Sequence, residues 1–198
     1  MTRTEQSQPT FTRTWFLWTV GFLAFPIAGV AGTAAAGRVD SPSAALLGGA
    51  VAGLVLGGGQ VLVSRRRLDP RRWIPATGVG MGLGLFVGAT VVDFGTSLVD
   101  LALMGAVTGL FLGPAQTIAL PRQASRRWLW AVAVPLLWAL GWAVTTLGQI
   151  HVEEQFTIFG AYGAITFSAL SGLLLHSLMP PSTTAVQAAE DSRIEAAV

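Results

Sequence analysis

Three small groups of residues in this chain are of types that chemistry uses. His151, Glu153 and Glu154 stand together in the stretch HVEE. Imidazole and carboxylate are metal ligands, but a site needs more of them in a defined geometry than one short run supplies. Asp93 and Asp100 bracket DFGTSLVD. Two carboxylates there could hold a cation at an outer mouth. Equally, Asp100 falls where a helix would begin, and the helix dipole favours a carboxylate in the first turn. Gln60 and Gln116 interrupt apolar runs. A buried amide must find partners, so the pair reads as interhelical glue or as a polar ring for a ligand or lipid headgroup. His176 is a lone imidazole near the end of the last apolar run. The chain has no Cys, which excludes disulfides, thiolate metal sites and thiol nucleophiles. It has no HExxH, GxSxG or Walker motif. The expectation is a protein with no catalytic set, no resident metal and no cofactor.

Residues like these need elements to position them, and the composition says which kind. Of 198 residues, 52% are hydrophobic and 11% charged; a soluble domain carries about 25% charged residues. Six runs approach the ~20 apolar residues that span a bilayer: 15–35, 44–63, 73–92, 98–120, 128–147 and 156–178. The fold class expected is all-α, a polytopic bundle of six transmembrane helices spanning residues 14–179. Residues 1–13 precede it, and residues 180–198 read as a disordered tail rich in Pro, Ser, Thr and Ala. Span one is too long for a signal-peptide core of about 7–15 residues, so it is expected to be retained.

The loops alternate in charge. Arg3 and Arg13 precede span one; Arg65, Arg66, Arg67, Arg71 and Arg72 follow span two; Arg122, Arg126 and Arg127 follow span four. The other loops carry Arg38 with Asp40, Asp93, Asp100, Glu153 and Glu154. The positive-inside rule then puts both termini in the cytoplasm. Trp15, Trp18, Trp73, Trp128 and Trp130 fall at that end, where indoles favour the interface. Arginines between apolar segments argue for membrane topology and against nucleic acid. Arg65, Arg66, Arg67, Arg71, Arg72, Arg126 and Arg127 are candidate contacts for anionic lipids. All twelve basic residues are Arg, which suggests a GC-rich bacterial genome and hence a bacterial inner membrane.

The chain also repeats itself. Gly49, Gly53, Gly57 and Gln60 recur as Gly105, Gly109, Gly113 and Gln116; Trp73 aligns with Trp128 if the basic turn has lost one residue. Gly163-Ala-Ile-Thr166 echoes Gly105-Ala-Val-Thr108, and Arg13-Thr-Trp15 echoes Arg126-Arg-Trp128. Three hairpins result, one split between spans one and six, related by an axis along the membrane normal. The third copy has no Gln and carries Phe167 where the others have the middle Gly. The pattern G-x3-G-x6-Q, an Arg-rich turn, then Trp resembles uncharacterised bacterial multi-pass membrane proteins. That resemblance implies the hairpin fold and no activity.

The Gly49/53/57, Gly80/84/88 and Gly105/109/113 ladders each line one helix face. In lipid such faces let backbones approach closely, between helices or protomers; a Gly-lined pore is the alternative. Pro26, Pro114 and Pro135 should kink their spans, whereas Pro75 should fall harmlessly near a helix start. No charged residue falls at mid-membrane, where ion-coupled transporters place them. The sequence therefore favours a non-enzymatic packing or accessory module that interacts with lipid, a membrane-protein partner or further copies of itself. A passive channel or permease comes second, a membrane enzyme third.

Overall fold

The structure, a computed structural model, describes residues 11–65, 67–148 and 158–179. His151, Glu153, Glu154, Arg66, Arg3 and the segment 180–198 lie outside the described residues. The described residues form helices joined by turns, with no strand among them: α1 Phe11–Val20, α2 Ala24–Ala36, α3 Pro42–Val63, α4 Pro70–Val91, α5 Leu98–Ala119, α6 Trp128–Leu147 and α7 Ala161–Leu178. A 3-10 turn, Gly21–Leu23, joins α1 to α2. Counting α1 and α2 as one span, six helices are long and apolar enough to cross a membrane. Val30, Leu62, Val99, Ile118 and Leu136 are each more than two-thirds exposed. An apolar outer surface of that extent suits hydrocarbon and not water.

The ends differ from the sequence expectation where capping decides them. Asp69 accepts a hydrogen bond from Arg71 N at 3.0 Å, and Pro70 occupies the first helical position. This cap starts α4 three residues before Trp73, so Pro75 lies inside the helix and not near its start. Span six is helical only from Ala161; Ile158 and Phe159 are buried but non-helical. Span one breaks at Gly21–Leu23, just before Pro26. Pro26 has no N–H for the Phe22 carbonyl, and the backbone tightens there into a 3-10 turn.

Each span packs on its sequence neighbours, and α7 returns against α1, closing a ring. Small residues set the approach. A methyl built on Gly53 would stand 2.6 Å from the Thr77 carbonyl oxygen and 2.9 Å from Gly78 Cα. One on Gly105 would stand 2.9 Å from the Trp138 carbonyl oxygen. Gly84, in the α4 ladder, meets the Thr108 backbone in the same way. All three ladders thus face a neighbouring helix and not a lumen.

Aromatic rings fill the middle of the ring of helices. Spans that do not touch through their backbones meet there: Trp73 of α4 and Trp130 of α6 are edge-on at 6.0 Å. Further along the axis, Trp138 contacts Phe159 at 4.7 Å and Phe167 at 5.0 Å, and Phe25 stacks on Phe159 at 5.1 Å.

Candidate functional site: a buried amide–indole network

The two glutamines meet. Gln60, near the end of α3, and Gln116, near the end of α5, are almost fully buried. Trp73 Nε1 donates to Gln60 Oε1 at 2.8 Å, and Trp130 Nε1 donates to Gln116 Oε1 at 3.0 Å. Gln116 Nε2 donates to Thr77 Oγ1 at 3.0 Å and to Gln60 Oε1 at a longer 3.4 Å. Thr77 Oγ1 in turn donates to the Trp73 carbonyl at 2.8 Å. Four helices therefore contribute to one connected polar cluster at the arginine-bearing end. Both amide oxygens, both indole N–H groups and Gln116 Nε2 find partners within it, which lowers the cost of keeping amides in an apolar interior.

Each amide takes its indole from the next helix of its own hairpin. The separation is 13 residues for Gln60–Trp73 and 14 for Gln116–Trp130. The partner of Gln116 is thus Trp130, not Trp128, and the Gln-to-Trp separation in the second hairpin is one residue longer than in the first, not shorter. Trp128 is 61% exposed while Trp73 and Trp130 are fully buried. Of the five tryptophans expected at the interface, Trp73 and Trp130 turn inward, and so does Trp18, which donates to Ser171 Oγ at 3.0 Å. A Trp recurring 13 or 14 residues after each Gln was the available signal. Thr77 gave none, since a lone hydroxyl in an apolar helix usually back-bonds its own chain.

The arginines divide into two groups. Arg127 Nη2 donates to the carbonyls of Thr117, Ile118 and Leu120, and Arg72 Nη2 donates to Ile118 O at 2.8 Å. Both close the C-terminus of α5, where carbonyls lack helical partners and the dipole favours cations. Arg65, Arg67, Arg71 and Arg126 are exposed at the same end and make no such bond. Of the proposed lipid contacts, then, Arg72 and Arg127 are engaged by the protein itself.

Asp100 belongs to a helix cap. Ser97 Oγ accepts from Asp100 N, while Asp100 Oδ2 accepts from Ser97 N at 3.2 Å and Ser97 Oγ at 2.6 Å. This is a capping box with aspartate in the third position. Asp93 lies in the preceding turn with φ 48°, a left-handed conformation that aspartate tolerates better than most residues. His176 sets its ring against Phe11 at 4.5 Å, tilted by 56°, at the rim of the bundle.

The ring of six apolar helices is the architecture of a multi-pass helical membrane protein. No family model, curated protein or solved structure matches the chain.

Proposed function

We propose that this protein is a non-enzymatic membrane module whose working surface is its outer, lipid-facing side. Its partner is lipid or another membrane protein, and its interior is a scaffold. One observation carries this reading: Gln60, Gln116, Trp73, Trp130 and Thr77 are tied into one hydrogen-bonded cluster that joins four helices. A polar ring for a passing solute needs its groups turned to an open path. Here both amide oxygens, both indoles and Gln116 Nε2 are bonded within the cluster, and aromatic rings pack beside it.

In this reading the chain is built from three related hairpins, the third split between α7 and span one. Matching contacts support it. Gly53 meets Thr77 and Gly78, while Gly109 meets Val134 and Pro135. Both termini face the cytoplasm, since the described arginines other than Arg38 gather at one end, and the membrane is a bacterial plasma membrane. Anionic lipid meets Arg65, Arg67 and Arg71 at that face.

The test is solute flux through proteoliposomes. The proposal expects no flux of ions or small neutral solutes above protein-free vesicles. Flux that vanishes in Gln60→Leu with Gln116→Leu, at unchanged thermal stability, would make the network a conduction site and overturn the proposal.

A further inference from the structure

In two hairpins the paired helices touch along their length; in the third they part. Gly172 of α7 meets the indoles of Trp15 and Trp18 near the arginine end. Toward the opposite end the approach stops. Phe167 stands where the other hairpins have a middle glycine, and its ring fills the axis against Phe25 and Trp138. Gly163, one turn on, turns to α6, where an added methyl would lie 2.5 Å from Thr145 Oγ1. So α7 leans on α6 and leaves α2 behind. Between them runs a cleft of about 660 Å³, walled by Pro26, Val30 and Ala34 of α2, floored by Thr145 and Phe159, and closed by Ala161.

We infer that this cleft binds one lipid acyl chain, taken sideways from the leaflet at the end opposite the arginines. The inference rests on the reading of the protein as a lipid-facing module. Three features select that occupant. The cleft runs along α2 from Pro26 to Ala34, about 12 Å at 1.5 Å per residue, close to one leaflet of a ~30 Å hydrocarbon core. Its walls are almost wholly apolar; two hydroxyls line it, Thr33 on the α2 wall and Thr145 on the floor, and that of Thr145 is already donating to the Gly141 carbonyl at 2.8 Å. A polar ligand would find little there to replace its water. Val30 is 72% exposed, so the cleft opens to the side of the bundle, the side that the membrane reading turns toward lipid. Its volume is in the ~300–1,000 Å³ range of small-molecule sites.

The experiment uses the full chain in nanodiscs containing a phospholipid with a photoreactive diazirine on one acyl chain. Labels mapped by mass spectrometry should concentrate on residues 30–34 and 161–165. Val30→Trp, which fills the cleft, should lower that labelling by about tenfold, the effect of ~1.4 kcal/mol of lost affinity. Leu103→Trp, at a similar depth on the exposed face of α5, should leave it unchanged. If Val30→Trp lowers thermal stability, Thr33→Phe fills the same cleft from a more peripheral wall. Labelling as dense around Leu103 as around Val30 overturns the inference. So does Val30→Cys forming a disulfide with a cysteine placed in 149–157, or with a second copy, while the label is excluded. Solute flux is read separately. Flux with cleft-localised label would sink the proposed function and keep the cleft; diffuse label without flux would do the reverse.

Discussion

The α3–α4 and α5–α6 hairpins and the α7–α1 pair answer the same packing problem with different residues. In the first two, glycines at four-residue spacing let backbone meet backbone, and Gln with Trp locks the arginine end. In the third, Leu175 lies near the end of α7, three residues beyond Gly172, and has no amide to bond an indole. Here it is Trp18 that bonds, to Ser171. A small hollow between Thr14, Ser64, Arg67 and Leu175 remains where the amide–indole pairs sit elsewhere. The lesson is that a glycine ladder fixes helix separation by exclusion. Where glycines line the seam the helices touch, and beside the bulk of Phe167 a cleft opens along α2.

The largest test of that contrast is steric. Gly53→Val and Gly109→Val should each cost at least the ~1–3 kcal/mol typical of overpacking, because the new atoms meet backbone that cannot rotate away. Gly172→Ala should cost less, since it meets indole edges. Thermal unfolding in detergent ranks the three; equal losses would break the comparison.

Next in size is the network. Gln116→Leu removes three hydrogen bonds at about 0.6 kcal/mol each in membranes and strands the buried Trp130 indole. A loss of roughly 2 kcal/mol is expected, with Gln60→Leu below it. Because the amides touch, the double change should depart from additivity by about 0.5 kcal/mol. Strict additivity in the unfolding cycle would mean the 3.4 Å contact carries no energy.

Smaller still is the division among the arginines. Arg65→Gln with Arg67→Gln and Arg71→Gln should reduce retention of anionic lipid in native mass spectrometry, at about 1 kcal/mol per arginine. Arg72→Gln with Arg127→Gln should leave retention nearly unchanged and instead lower stability by about 1 kcal/mol, the value of lost caps. The opposite pattern would show that Arg72 and Arg127 release the α5 carbonyls to meet lipid. Last, reporter fusions at residues 68 and 124 should read cytoplasmic, and those at 40 and 96 external. Two adjacent loops on one side would refute the orientation.

The sequence by itself determined that this chain makes six apolar helices, and roughly where each lies. Run length and hydropathy are local, and lipid requires every backbone group to bond within its own helix. The place of Asp100 in the first turn of its helix was legible for the same reason, since a helix start is a local feature. Only the tertiary structure decided the rest. Whether an indole near the membrane surface faces lipid or an amide depends on the rotation of its helix. In the second hairpin it is Trp130, 14 residues after Gln116, and not Trp128 that turns to the amide. Gln60 and Gln116 meet across 56 residues because α3 and α5 both lie against α4. The cleft beside α2 exists because Phe167, Gly163 and the 3-10 turn before Pro26 act together. No short window of sequence holds all three, and packing between helices is settled by contacts that are distant along the chain.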